Sequence, residues 1–172
     1  MFYRSTIARL HEDGDVEAIH LYFDTSESGS YGTLRSNYRI PEFVDQLFEL
    51  GDLLHLGRHV GSASQVHRPT GEACLAFKRD DGLTGMESQR FGSTESWLLS
   101  FHMCQVAYLF DGKDWLRFER IETERKTKDG PEVLGFWVDA MGFRVTGIFN
   151  FANLSKRRGM DLPNQKSLTQ NS

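Results

Sequence analysis

The alternation of hydrophobic and polar residues near the start of the chain predicts a β-hairpin. Residues 2–10 alternate loosely, and residues 16–24 form a second, largely apolar segment. Asp13 and Gly14 lie between them, and glycine accepts the positive φ that a tight hairpin turn requires. The Ser-, Gly- and Thr-rich residues 25–37 predict a loop after this hairpin.

The clearest helix is predicted to begin after Ile40. Pro41 suits the first helical position because its missing N–H costs no hydrogen bond there, and Glu42 favours the positive N-terminal end. Apolar residues then recur every three to four positions and form one stripe: Phe43, Val44, Leu47, Phe48, Leu50 and Leu54. The pattern predicts a helix over about residues 41–54, with Gly51 either ending it or lying within it.

The middle of the chain predicts short strands and glycine-rich connections. Residues 62–68 and 72–79 suggest a second hairpin, because a Pro–Thr–Gly turn separates them. Residues 80–92 contain three glycines and predict a loop.

Strands are also predicted for much of the second half. Residues 97–104 fit both a strand period and a helix period, whereas residues 104–110 favour a strand. An Asp–Gly turn joins that strand to the next one, at residues 115–121. The last two strands are predicted at residues 133–138 and 142–151.

Together these elements predict an α+β fold with a mainly antiparallel sheet of about six to eight strands. One firm α-helix, about residues 41–54, packs on the sheet. Residues 1–154 are predicted to form a single domain, because no repeat or linker divides them. Residues 155–172 are polar and aperiodic and predict a flexible, basic C-terminal tail.

Composition adds expectations about class and location. The chain has 172 residues, of which 39% are hydrophobic, enough for a core and too many for a disordered chain. Its two cysteines are too few for a disulfide framework. Residues 1–7 lack the features of a secretory signal, and no segment has the roughly 18 consecutive apolar residues of a membrane span. These features predict a cytoplasmic protein that does not enter the membrane.

The charge is distributed unevenly along the chain. The whole chain carries a formal net charge of -4, whereas residues 155–172 carry four basic side chains against one acidic side chain. Residues 1–154 therefore carry a net charge of -7. An acidic body argues against general phosphate binding, which requires a basic face.

The sequence predicts a non-catalytic protein-binding module of the inhibitor, immunity or adaptor type. It contains no phosphate-binding glycine motif, no HExxH, no CxxC and no GxSxG, so the common motif-marked enzymes are disfavoured and no cofactor is expected. Acidic faces complement basic partners and speed association with them. The expected partner is another protein, and the candidate contact residues are Glu12, Asp13, Asp15, Glu17, Glu119 and Glu122.

A single-stranded nucleic-acid binder is the alternative hypothesis. Such proteins stack bases on sheet aromatics and hold the phosphates with basic side chains. Trp115, Arg117 and Arg120 lie on one predicted strand, and Arg144 lies on another.

A metal-assisted hydrolase is the second alternative. His55 and His59 have the spacing that would place two imidazoles on one helix face, and His102 and Cys104 could add a nitrogen and a thiolate from one strand face.

Two strand-end carboxylates, those of Asp24 and Asp139, are predicted either to face a pocket or to lie in solvated turns.

Overall fold

A computed structural model of the chain describes residues 3–24, 29–62 and 72–153. Its four principal helices are α1 (Gly29–Asn37), α2 (Pro41–Glu49), α3 (Phe77–Asp81) and α4 (Thr94–Ser100). Nine strands form one sheet: β1 (Tyr3–Leu10), β2 (Val16–Asp24), β3 (Leu53–His55), β4 (Leu75–Ala76), β5 (Gln89–Phe91), β6 (Val106–Phe110), β7 (Trp115–Thr127), β8 (Gly130–Val138) and β9 (Phe149–Asn150).

The sheet is open and mixed, which confirms the α+β class and refines its topology. The strand order is β4-β3-β2-β1-β6-β7-β8-β9, and β5 pairs with β2 beside β3. β1 runs parallel to β6, and β2 runs parallel to β3, whereas the other strand pairs are antiparallel. The sheet is therefore larger than the predicted six to eight strands, and it is not purely antiparallel.

The first hairpin forms as the sequence predicts. β1 and β2 pair antiparallel from Leu10↔Val16 onward, and Gly14 at the turn has a φ of 89°. The backbone N–H of His11 donates to the carbonyl of Asp15 across this turn, at 2.8 Å. A glycine in the left-handed region therefore closes the hairpin on which the rest of the sheet is built.

The prediction of one firm helix over residues 41–54 was wrong in number and in length. α1 occupies residues 29–37, where a loop was predicted, and α4 makes residues 97–100 of the ambiguous segment 97–104 helical, followed by a turn. α2 starts at Pro41 as predicted but ends at Glu49. The backbone reverses at Gly51, where φ is 71°, and then continues as β3.

Helices cover both faces of the sheet and create two apolar layers. α1 and α2 close the first layer, which includes Ile7, Ile19, Leu21, Leu34, Val44, Leu47, Tyr108 and Trp115. α4 closes the second layer, which includes Ala8, Val16, Ala18, Trp97, Leu98, Ala107, Phe118 and Trp137. All five residues of β6 are buried because this central strand is covered on both sides.

Several predicted elements of the second half are shorter or displaced. Only Leu75–Ala76 of the predicted strand 72–79 is extended, because α3 follows at once, and residues 63–71 lie outside the described residues. β5 lies within the predicted loop 80–92. The predicted strand 142–151 is reduced to Phe149–Asn150.

The predicted tail, residues 155–172, lies outside the described residues, so the division into one domain and a tail stays a prediction. Within the described ranges, no helix is long and apolar enough to cross a membrane.

Candidate functional site

Two arginines pair with part of the acidic cluster at the first hairpin. Asp13 and Asp15 lie 3.8 Å and 3.5 Å from the guanidinium of Arg90, which β5 places beside the hairpin. Glu12 is exposed, whereas the side chain of Glu17 is only 13% exposed. Glu17 is therefore part of an internal ion-pair system, whereas Glu12 and Asp13 stay exposed and their contact role stays a prediction.

Glu17 is the centre of that system. Its carboxylate accepts hydrogen bonds from Arg9 at 2.7 Å and from the Ser88 hydroxyl at 2.5 Å, and His11 Nε2 lies 2.9 Å away. Burial alone would raise the pKa of Glu17, but the hydrogen bonds of Ser88, Arg9 and His11 outweigh it and hold the pKa below its ordinary value of 4.5. Glu17 thus joins β1, β2 and the segment before β5.

Replacing Glu17 with glutamine is expected to lower the free energy of unfolding at pH 7 by about 1 to 2 kcal/mol, since charge-assisted hydrogen bonds are lost. The folded-state pKa is depressed, so the stabilisation is present above the unfolded pKa and disappears as the pH falls through the folded value. Urea unfolding at pH 7 and at about pH 3 measures this. The exposed variant Glu12→Gln is the control and should match the wild type. A deficit of the same size at both pH values would contradict the assignment.

The second acidic cluster is paired in the same way. Glu119 lies 2.7 Å from Arg117, and Glu122 lies 2.5 Å from Arg120. Arg120 also donates to the carbonyl of His102. Arginines pair with acids in both clusters, and the contact role of the acidic residues stays a prediction.

The residues proposed for nucleic-acid binding do not form one platform. Trp115 is buried, and its indole N–H donates to the carbonyl of Tyr38 at 2.8 Å, so its ring offers no free face to a base. Arg117 and Arg120 are engaged by the glutamates described above. Arg144 is the exposed member of the set, and the nucleic-acid hypothesis stays a prediction that rests on it.

The structure does not assemble the predicted metal ligands. His55 lies on β3 and His59 is exposed beyond it, whereas His102 and Cys104 are buried after α4. Across the described residues, no three His, Cys, Asp or Glu side chains are grouped so that they could hold a metal ion. The metal-assisted hydrolase therefore gains no support.

An exposed apolar loop between β8 and β9, residues 139–148, was missed by the sequence analysis. We call it the apolar loop. Its side chains Met141, Phe143 and Ile148 are 82%, 64% and 55% exposed. Three large apolar side chains exposed within ten residues make this loop a candidate interaction site.

Asp139 holds the first half of the apolar loop in a fixed shape. One oxygen of its carboxylate accepts the backbone N–H groups of Met141 and Phe143, both at 2.9 Å. Its own backbone N–H donates to the carbonyl of Phe143 at 2.9 Å, and Gly142 has a φ of 83° in the turn. Of the two predicted alternatives, Asp139 therefore lies in a solvated turn, where its carboxylate orders the segment that carries the exposed side chains.

The second half of the apolar loop is tied to the body of the protein. The backbone N–H of Val145 donates to the carbonyl of Trp137, and the Trp137 N–H donates to the Thr146 hydroxyl. The N–H of Gly147 donates to the Glu95 carboxylate of α4 at 2.9 Å. These bonds connect the apolar loop to β8 and α4, so its exposed side chains project from a structured support.

Comparison of the chain with protein-family models, curated proteins and solved structures finds no match. Function is therefore argued from the geometry of the chain itself.

Proposed function

We propose that the protein is a cytoplasmic, non-catalytic protein-binding module of the inhibitor, immunity or adaptor type, and that it binds its partner through the apolar loop. The observation that carries this proposal is the exposure of Met141, Phe143 and Ile148 on a loop that hydrogen bonds hold in place. The arginine-paired acidic clusters serve the fold and the long-range field rather than the contact itself.

The energetics favour binding at this loop. Complete burial of a Met, Phe or Ile side chain contributes about 1.5–3 kcal/mol. Met and Phe are also enriched in the buried centres of protein interfaces. Because the apolar loop is already ordered by Asp139 and Glu95, little conformational entropy is lost when a partner covers it.

The net charge indicates the kind of partner. Residues 1–154 carry a formal charge of -7, which repels the anionic inner surface of a membrane and attracts a basic protein. The expected partner is a second protein with an apolar pocket bordered by basic residues. Rising salt should slow its association but leave most of the apolar contact intact.

Replacement of Phe143 with the photo-crosslinking residue p-benzoylphenylalanine tests this proposal in the cells that naturally contain the protein. Illumination should give a discrete adduct with one other protein. The matched control places the same residue at Leu83, which is 44% exposed on a different loop, and should not give that adduct. Phe143→Ser should abolish co-purification of the crosslinked protein but shift stability by less than about 0.5 kcal/mol, since the side chain is exposed.

The other results of this experiment contradict the proposal. Absence of an adduct at position 143, or equal adducts at positions 143 and 83, would show that the apolar loop is not an interface. An adduct with twice the mass of the chain would replace the proposed partner with a second copy, and sedimentation of Phe143→Ser would then show a smaller species. Crosslinking to lipid alone would identify a membrane as the occupant.

A further inference from the structure

An open cleft lies at the rim of the layer that α4 covers. Along β2, the residues Val16, Ala18, His20 and Tyr22 occupy one face of the strand. The first two are buried in the core layer beneath α4, whereas the side chain of His20 is 34% exposed. His20 and Tyr22 form one side of the cleft, Arg4 adds a guanidinium, and the segment after α4 closes it with Phe101, Met103 and Cys104.

A buried carboxylate behind the cleft fixes the position of His20. Asp52 Oδ1 accepts the backbone N–H of His20 at 2.8 Å, and Asp52 Oδ2 lies 3.4 Å from Nδ1 of the His20 ring. The second distance is an ion-pair distance that is longer than a good hydrogen bond. The ring also packs on Phe101, with 4.4 Å between the ring centres. Asp52 therefore holds the backbone of His20 and lies beside its ring, whose Nδ1 makes no hydrogen bond within the described part of the chain.

Arg4 supplies positive charge that no carboxylate in the described residues neutralises. Its guanidinium carbon lies 5.8 Å from the centre of the Tyr22 ring, on which it stacks as a cation over an aromatic face. Its backbone N–H donates to the side-chain oxygen of Gln105, which ties this part of β1 to the start of β6. Unlike Arg90, which pairs with Asp13 and Asp15, Arg4 forms no ion pair with the described residues and lines a cleft.

The remaining lining contains no Asp, Glu, Lys or second Arg and consists of Leu21, Tyr22, Ser100, Phe101, Met103 and Cys104. Burial, followed by the charge of Asp52, raises the pKa of Tyr22, so its phenol stays protonated at neutral pH. Phe77 packs edge-on against Tyr22, with 4.9 Å between the ring centres, and supports it from outside the cleft. The cleft has a volume of about 90 Å³. One water needs about 10–15 Å³, so a group of several heavy atoms fits.

We propose that this cleft binds a small organic oxyanion, whose charged group contacts the Arg4 guanidinium beside the edge of the His20 ring while its apolar part lies against Tyr22 and Phe101. Asp52 acts as a positioning residue, because it is buried behind His20 and its oxygens face that residue. A free guanidinium suits a carboxylate or a phosphate monoester equally, so an oxyanion is the chemistry that the cleft selects. This site uses none of the residues of the apolar loop and stands independently of the proposed function.

The test follows the imidazole signals of His20 by NMR while the full chain is titrated with benzoate, phenyl phosphate or neutral benzamide. Either anion should move the His20 signals in a saturable way, and benzamide should not. The benzoate and phenyl phosphate titrations separate a carboxylate ligand from a phosphate ligand. Arg4→Met should weaken the binding of the preferred anion at least tenfold, whereas Arg39→Met, at an arginine that is 68% exposed, should leave it unchanged.

The outcomes that overturn the proposal are distinct. If benzamide binds with the same affinity as the anions, the cleft binds aromatic rings without selecting for negative charge. Equal weakening by Arg4→Met and Arg39→Met would reduce the effect to general electrostatics. If neither anion moves the His20 signals in the wild type, the cleft is not an anion site. His20→Gln supplies a second check by calorimetry, because it should weaken the preferred anion while the thermal unfolding curve stays cooperative.

Discussion

Replacing Gly51 with alanine is expected to lower the free energy of unfolding by about 4 kcal/mol, among the largest effects of a single methyl group. Gly51 has a φ of 71°, in the region that favours glycine. An alanine Cβ at this position would also overlap the backbone carbonyl oxygen of Met86. That carbonyl cannot move away freely, because it accepts the backbone N–H of Asp52 at 2.7 Å.

A control isolates the steric part of this effect. Gly82 has a φ of 66°, but no atom lies within 4 Å of the Cβ that alanine would place there. Gly82→Ala therefore carries the backbone penalty alone, about 1–2 kcal/mol. Urea unfolding of both variants should show that Gly51→Ala costs clearly more, and equal losses would mean that the contact with Met86 does not constrain the corner.

The chain reversal at Gly51 and Asp52, which affects stability, also positions groups behind the anion cleft. Gly51 turns the chain out of α2, and the next residue is Asp52, whose carboxylate holds His20. The carbonyl of Asp52 accepts the N–H of Phe77, the residue that supports Tyr22. A shifted corner would thus displace the groups behind the cleft as well as strain the fold.

Turn and helix-start residues predicted the structure correctly where neighbouring residues alone determine the backbone conformation. The Asp–Gly turn closes the first hairpin with Gly14 in the left-handed region, and Pro41 starts α2. The end of α2 was mispredicted because Leu50 and Leu54 continue the apolar stripe. Gly51 ends this helix with its positive φ, which is one of the two alternatives that the sequence offered, and only its packing against Met86 is a long-range contact that no local pattern reveals.

Of the three principal helices that were not predicted, α1 and α4 escaped for different reasons. α1 buries only Ser30 and Leu34, so its sequence carries almost no apolar stripe. α4 fits two periods equally well, but Ser93 and Ser96 form a reciprocal capping box at its start. That pair is a signal in the sequence that would have resolved the ambiguity in favour of a helix.

The apolar loop was missed because pattern analysis assigns apolar residues to the interior. Phe143 and Ile148 were read into a strand over residues 142–151, yet both face solvent. Asp139 followed by Gly142 was the available turn signal. The ion pairs of the first acidic cluster could not be predicted either. Arg90 reaches Asp13 because β5 pairs with β2, and the glycine-rich sequence around β5 had predicted a loop.

The other large effect is expected at Asp24, a strand-end carboxylate that is buried rather than solvated. Its Oδ1 accepts the Ser30 hydroxyl at 2.5 Å, and its Oδ2 accepts the Tyr108 hydroxyl at 2.7 Å. Burial, followed by the nearby charge of Asp24, raises the pKa of Tyr108 well above its ordinary value, so this phenol stays a hydrogen-bond donor. The network joins the end of β2, the start of α1 and the central strand β6.

Asp24→Ala is therefore expected to lower the free energy of unfolding by about 3 kcal/mol, because two buried hydroxyls lose their acceptor at once. Tyr108→Phe should also destabilise, because it leaves a buried carboxylate oxygen without its donor. The double variant should cost less than the sum of the two, by about 1 kcal/mol or more, since each change removes the partner that the other leaves unsatisfied. Asp13→Ala, at an exposed aspartate 3.8 Å from Arg90, is the control and should change stability by less than about 0.5 kcal/mol. Urea unfolding of all four variants measures the cycle, and strictly additive losses would show that Asp24 and Tyr108 contribute separately rather than as one buried network.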